Sequence, residues 1–264
     1  MKNVSFKGNW DAASQGNIEE LFLRECHHIC NNKASFLNFK RNFIFTKVIG
    51  NDVRSKDISD VFYGYIESTD LIKDIQRYKK NDLIGNPVLY EYEKTGPVSP
   101  GTLCFMSILN DVNTRLVDVS NKSVCEIGSG YGGQAKILLD YGVKSIDLID
   151  RPETLGLAKT YLSLFKHPNV SFHTVDAVPV KEYDLCISNW CLSELDYEGM
   201  NFYLDNVVSK SEAGYFLTNF RDDEKQKWLL TKLEEIFEDV SIEPEIPRTN
   251  ENDNFVFLCK NRKE

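Results

Sequence analysis

The chain has no apolar run near the ~18 residues that a membrane helix needs. It also lacks an excess of positive charge, a regular even set of cysteines, an internal repeat and a low-complexity tract. Each absence removes a class of protein. Thirty-one Lys and Arg against 40 Asp and Glu leave a formal net charge of −9, the wrong sign for a face that grips nucleic acid. The seven cysteines are odd in number and irregular in spacing, and Cys125, Cys186 and Cys259 fall within apolar stretches. They read as reduced core residues rather than a disulfide frame. The segment Cys26-His27-His28-Ile29-Cys30 has no second Cys/His pair at zinc spacing, so no metal site is expected. Residues 1–17 are polar and hold no apolar signal core, which makes a cytoplasmic chain with no membrane partner the expectation.

What is present is enough for a large core: 264 residues, 42% of them hydrophobic and 12% aromatic. Charge divides unevenly, with a net of +1 over residues 1–94 and −10 over 95–264. From Asn17 to Asn81 the pattern is helical. Ile18, Leu21, Phe22, Cys26 and Ile29 recur at helical spacing, as do Leu71, Ile72 and Ile75. Phe36, Phe39, Phe43 and Phe45 read as packing between these helices. Breakers follow in Gly85-Asn86-Pro87 and Gly96-Pro97-Val98-Ser99-Pro100-Gly101, then a helix from Thr102 to Leu116. The boundary is set at 118/119: a helical cap and linker region over 1–118, and a second unit over 119–264.

The second unit alternates. Strands are predicted at Ser123–Ile127, Ser145–Ile149, Val170–Thr174, Leu185–Ser188, Tyr215–Thr218, Val240–Ile242 and Phe255–Cys259. Helices at Gly133–Tyr141, Glu153–Phe165, Gly199–Val208 and Glu224–Phe237 fall between the first six, except between the third and fourth. Such alternation predicts an α/β fold around a mostly parallel, seven-stranded Rossmann-like sheet, with the last two strands antiparallel at an edge. Ligands of such sheets bind at the carboxyl ends of the strands.

The first of those ends is the most informative stretch. Val124-Cys125-Glu126-Ile127-Gly128-Ser129-Gly130-Tyr131-Gly132-Gly133-Gln134 is a strand carrying one acid, a turn with four glycines in six residues, and a helix start. So bare a turn admits a ligand close to the backbone. Gly128, Gly130 and Gly133 satisfy the dinucleotide fingerprint, and Asp150 lies 22 residues after Gly128, near the ~20 expected for a ribose-binding acid. Glu126 argues for a different cofactor. Another negative charge gains nothing beside a doubly anionic pyrophosphate, whereas S-adenosylmethionine (SAM) has no phosphate and carries a sulfonium and an ammonium. An NAD-dependent oxidoreductase is disfavoured on that ground.

The run Glu126-Ile127-Gly128-Ser129-Gly130-Tyr131-Gly132-Gly133 resembles the first motif of class I SAM-dependent methyltransferases. With Ile149-Asp150-Arg151-Pro152-Glu153, Ser188-Asn189-Trp190-Cys191-Leu192-Ser193-Glu194-Leu195, Gly85-Asn86-Pro87 and Ser99-Pro100, the likeness extends from Gly85 to Cys259. It narrows to the sugar O-methyltransferase family of bacterial surface-polysaccharide gene clusters, departing from that pattern at Ser129 and Arg151, where Gly and Leu are expected. The resemblance implies SAM as cofactor. It places Glu126, Gly128, Ser129, Gly130, Tyr131, Gly132 and Gln134 around the methionine end of SAM. Asp150 and Arg151 fall at its ribose, Asp176 and Ala177 at its adenine, and Asn189 beside the methyl. Asp150 is alternatively an N-cap, and Asp176 alternatively a plain loop acid.

A sugar hydroxyl is a poor nucleophile while protonated, so a base assists its attack. Glu194 is the first choice, with a helix-start acid as the competing reading. Ser193, Asn189 and Tyr131 are positioning groups; Asn219 and Arg221 are candidates on the acceptor side, Arg221 toward a phosphate or carboxylate. The expected activity is methyl transfer to a hydroxyl of a small-molecule sugar, nucleotide-linked, in capsule or lipopolysaccharide synthesis. A small phosphorylated or amine acceptor, or a non-catalytic SAM-binding partner protein, are the alternatives.

Overall fold

A computed structural model describes residues 15–50, 54–220, 222–249 and 254–263. Helices build the front of the chain: α1 (Gln15–Asn31), α2 (Lys33–Phe36), α3 (Phe43–Val48), α4 (Lys56–Glu67), α5 (Ile75–Tyr78) and α6 (Pro100–Arg115). Strand and helix then alternate: β1 (Ser123–Ile127), α7 (Gly133–Tyr141), β2 (Ser145–Ile149), α8 (Pro152–Leu162), β3 (Val170–His173), β4 (Leu185–Asn189), α9 (Cys191–Glu194), α10 (Tyr197–Asn206), β5 (Ala213–Thr218), α11 (Asp223–Ile236), β6 (Phe237–Pro244) and β7 (Phe255–Arg262).

The boundaries follow from capping chemistry. Ser99 starts α6: its Oγ accepts the Thr102 N–H at 3.0 Å, and Pro100 occupies the first helical position, where its missing N–H costs nothing. Asp196 caps α10 through the Gly199 N–H at 2.8 Å, and Asp222 caps α11 through Glu224 at 2.9 Å. Between β3 and β4 the described chain makes only a 3₁₀ turn, Val175–Ala177, where the sequence shows no helical period.

The sheet has seven strands in the order β3-β2-β1-β4-β5-β7-β6, parallel from β3 to β5 and antiparallel where β7 joins β5 and β6. The fold is thus the expected α/β class with a seven-stranded Rossmann-like sheet and helices in front. The last two strands form the expected antiparallel pair at one edge, with β7 inserted between β5 and β6 so that β6 is outermost, and β3 forms the opposite edge. Strand order reverses between β1 and β4, and a crevice opens there at the carboxyl ends.

One buried cluster joins the front helices to the sheet: Phe22, Phe39, Phe45 and Phe62 share it with Ile146, Tyr215 and Leu217. A second cluster fills the other face, with Cys186, Phe216 and Phe257 against Leu204, Leu229 and Leu233 of α10 and α11. Phe43 differs from its expected core role, standing 69% exposed while Phe39 and Phe45 are fully buried. Helix α6 is the central prop. It buries Asp111, whose carboxylate pairs with Arg115 and accepts the Tyr215 hydroxyl of β5 at 2.8 Å.

Gly85-Asn86-Pro87 and Ser99-Pro100, two anchors of the family resemblance, serve structure here. The Gly85 carbonyl accepts the Lys40 N–H at 2.9 Å, and Arg41 donates to the carbonyls of Asn86 and Pro87. Asp82 receives the Ser99 N–H, the Ser99 hydroxyl and the Thr102 hydroxyl. Lys40 runs fully buried beneath this knot with its ammonium on the Asn81 carbonyl and against the faces of Tyr131 and Tyr161. All seven cysteines are free thiols. No helix among the described residues is long and apolar enough to cross a membrane.

Candidate functional site

A cavity of about 990 Å³ lies over the carboxyl ends of β1, β2, β4 and β5. Glu126, the glycine turn, Asp150, Arg151 and Thr154 form one half. Asn189, Trp190, Cys191, Glu194, Asn219, Phe220, Gln226, Asn254 and Phe255 form the other. The front region roofs both halves with Ile18 to Leu23 of α1 and with Val48, Ile49 and Arg54.

The turn after β1 bends through Gly128, Gly130 and Gly132, all at positive φ (76°, 54° and 85°). At Gly128 the need for glycine is steric as well as conformational. A Cβ there would lie 2.4 Å from the Cβ of Cys191, so the first turn of α9 presses directly on the loop. Gly132 has a different task from the one expected of it. It starts α7 facing Leu162 and Ala158 of α8, outside the cavity wall, and Gly133 lines the cavity instead.

Glu126 is buried at the end of β1, and one of its carboxylate oxygens has no hydrogen-bond partner among the described residues. Burial, with the Asp150 charge adding to it, raises its pKa well above the ordinary carboxyl value. Asp150 ends β2. One oxygen accepts the Gly130 N–H at 2.9 Å and the other the Arg151 N–H at 2.7 Å. Its pKa is pushed up to about 6 by burial, against the opposing pull of those two N–H groups. The N-cap of α8 is Arg151 in extended conformation, so Asp150 is not the helix cap. Arg151 instead pairs with Glu19 of α1 and ties the roof to the half that holds Glu126.

At the end of β4, both amide atoms of the Asn189 side chain are buried without a partner among the described residues. Trp190 follows in a left-handed conformation (φ 64°), an uncommon state for a bulky residue; it turns the chain into α9 and sets the indole on the cavity wall. Glu194 closes α9. Its pKa is pushed up to about 7 by burial first and by the Asp150 charge second, while Lys225 pulls the other way. Helix α9 is a single turn, so Glu194 is also the acid of its first turn, while capping of the next helix falls to Asp196. Ser193 points away from the cavity: its hydroxyl lies 2.7 Å from the Trp190 carbonyl and 2.6 Å from Asn219 Oδ1. It holds Asn219 rather than facing a ligand, and Lys225 donates to its carbonyl at 3.1 Å.

Two expected positions stand apart. Asp176 and Ala177, on the 3₁₀ turn after β3, are exposed and do not line the cavity. Arg221 lies outside the described residues. Tyr131 lines the cavity with its ring set edge-on to Phe39 and Tyr161. Gln134 donates to the Phe105 carbonyl at 3.3 Å and leaves its amide oxygen unpartnered, and the Ser129 hydroxyl is likewise buried without a partner among the described residues.

Sequence reasoning expected a helical cap but missed which residues form the roof, Arg54 among them, and missed Thr154, Cys191 and Phe255. Cys191 and Trp190 lie inside a quoted motif and were findable. The roof residues carry no local signal, because only the folded chain brings them over the sheet.

Five carboxylates border the cavity (Glu19, Glu126, Asp150, Glu194, Asp223) against the guanidinium groups of Arg54 and Arg151. Such a field draws a cation. Unpartnered buried acceptors under a turn without side chains match a ligand with N–H groups and positive charge.

No protein-family model matches the chain, and no curated protein matches it. Among solved structures, the chain is similar to Thermoplasma acidophilum 1320, with 18% identity, 73% of this chain and 98% of the other covered, and a TM-score of 0.48. It is also similar to an O-methyltransferase family protein from Burkholderia thailandensis (13%, 62% and 60%, TM-score 0.46). A third is the N-methyltransferase NodS of Bradyrhizobium japonicum, solved with S-adenosylhomocysteine (19%, 59% and 84%, TM-score 0.45).

Proposed function

We propose that this chain is a SAM-dependent methyltransferase whose acceptor is a hydroxyl of a nucleotide-linked sugar in capsule or lipopolysaccharide synthesis. One observation carries the cofactor reading: a carboxylate, Glu126, buried beneath a glycine turn with an oxygen that nothing in the described protein satisfies. Leaving such a group unpaired costs free energy, and an ammonium or sulfonium above it removes the cost. The residues present fit SAM. Glu126, Gly128 and Gly130 face its methionine end. Asp150 suits the ribose diol, since each of its oxygens keeps a further lone pair beside the N–H it already accepts.

SAM supplies a methyl group already activated as a sulfonium, so the transfer is an in-line displacement. The chain then has to hold an acceptor oxygen in line and take its proton. Asn189 offers both a donor and an acceptor at the end of β4. Glu194, nearby on α9 and close to half-ionised at neutral pH, is the base we assign. Three aromatic faces (Trp190, Phe220, Phe255) and, beside Asn189, the amides of Asn219, Gln226 and Asn254 in the acceptor half support a sugar. Apolar ring faces stack on C–H surface, and amides bind hydroxyls in pairs.

Calorimetric titration with SAM, S-adenosylhomocysteine and NAD tests the cofactor; NAD binding in the absence of SAM binding overturns it. A screen of nucleotide sugars for S-adenosylhomocysteine release tests the acceptor. Glu194→Gln should lower kcat by about 10²–10⁴-fold while leaving SAM affinity near that of the parent. SAM binding without turnover on any acceptor, unaltered by Glu194→Gln, identifies the non-catalytic partner instead; turnover confined to amines or small phosphorylated compounds moves the acceptor class.

A further inference from the structure

Among the described residues, Arg54 is the cation lining the cavity that has no carboxylate partner. Arg151 is paired with Glu19, Lys225 is bonded to the Ser193 carbonyl, and Lys56, the next cation along the chain, is paired with Asp60. The Arg54 guanidinium has no ion pair among the described residues, although five acids border the same cavity. It stands instead between two aromatic rings, its Cζ 5.8 Å from the centroid of Trp190 and 5.4 Å from that of Phe62. Its backbone is pinned as well, the carbonyl accepting the Tyr90 hydroxyl at 3.1 Å. Flat aromatic faces leave the in-plane N–H fork of a guanidinium free, and that fork matches an oxyanion two-pronged.

Its place decides which ligand it serves. Trp190 follows Asn189 directly at the end of β4, on the cavity wall assigned above to the acceptor rather than on the strand and turn that carry Glu126. A positive charge there gains nothing from a cationic cofactor.

We propose that Arg54 is the anion-binding residue of the acceptor site, so that the acceptor carries an oxyanion, a phosphate or a carboxylate, within reach of the guanidinium. This rests on the methyltransferase reading and narrows its substrate class. Neutral free sugars are then poor acceptors. The roof, by supplying Arg54, selects the substrate while the sheet holds the cofactor.

The test uses the full chain loaded with S-adenosylhomocysteine and titrated by calorimetry with glucose, glucose 1-phosphate, glucuronate and UDP-glucose. At least one anion should bind ten times or more tightly than glucose, with an advantage that shrinks as salt rises. Arg54→Gln should erase that advantage and change S-adenosylhomocysteine affinity less than twofold; Arg54→Lys should keep part of it, since charge persists without the fork. The phosphate and carboxylate arms separate the two sources of the oxyanion. The proposal is overturned if no anion outbinds glucose, or if Arg54→Gln retains the full preference. Failure of S-adenosylhomocysteine to bind the parent protein defeats the underlying reading instead, which keeps the two failures apart.

Discussion

The carboxylate of Asp150 takes the N–H of Gly130 at 2.9 Å, so the end of β2 holds the turn that follows the neighbouring strand β1. One side chain thereby shapes the loop and stands ready for a diol. Removing it has two consequences. Asp150→Ala should weaken SAM binding by about 10–100-fold, from the loss of charge-assisted hydrogen bonds worth about 1.5–3 kcal/mol. Amide exchange should quicken at Gly130 in the ligand-free protein. Unchanged exchange there means the loop is held by other contacts.

Proton release should accompany cofactor binding. Asp150 and Glu194 carry pKa values raised to about 6 and about 7, and Glu126 is raised well above the ordinary carboxyl value, in each case by burial first. A cation favours their ionised forms and pulls those values down, so SAM affinity should rise from pH 5.5 to 8. Calorimetry in buffers of different ionisation heat counts the protons released. S-adenosylhomocysteine, which lacks the sulfonium, should show a shallower slope; a flat SAM profile sinks the electrostatic argument.

The same shifts set a stability trend of opposite sense. A carboxyl whose folded pKa lies above its unfolded value stabilises the fold below the unfolded value, near 4, and loses that contribution as pH rises through the folded one. The ligand-free protein should therefore lose Tm between pH 4.5 and 7.5 on account of Glu126, Asp150 and Glu194. Glu126→Gln should flatten this decline and raise Tm at pH 7 while weakening SAM binding at least tenfold. A variant that is both less stable at pH 7 and unchanged in SAM affinity contradicts the role given to Glu126.

Gly128→Ala sets a methyl group 2.4 Å from the Cβ of Cys191 at a positive φ of 76°. Strain of this kind costs about 1–3 kcal/mol, and SAM binding should fall with it. Adding Cys191→Gly relieves the clash without relieving the backbone strain, so denaturant melts of the double variant should recover part of the loss. Full recovery would assign the whole cost to the contact.

On α6, Tyr215→Phe leaves buried Asp111 with Arg115 alone. Loss of one hydrogen bond to a buried carboxylate should lower stability by about 1–3 kcal/mol in urea melts, with cofactor affinity unaltered. Tyr215 does not line the cavity, so the variant separates a stability effect from a binding effect.

The sequence by itself determined the alternation of elements and the chemistry at their junctions. β1, β2 and α7 have the bounds their residues announce, because strand alternation, the glycine turn and the caps are local patterns read over a few positions. Glu126, Asp150 and Glu194 were legible for the same reason, each standing at the end of a recognisable strand or just beyond it.

Only the tertiary structure decided where those residues face and what stands opposite. It turned Ser193 onto Asn219, set Gly132 against α8, left Asp176 on the outside, and spent Gly85-Asn86-Pro87 on holding Lys40 and Arg41. It also brought Arg54 beside Trp190 across 136 positions of chain. Burial, and with it every raised carboxyl in the cavity, is a property of long-range packing. A pattern confined to neighbours along the chain holds no record of the side chains that packing brings against them from elsewhere.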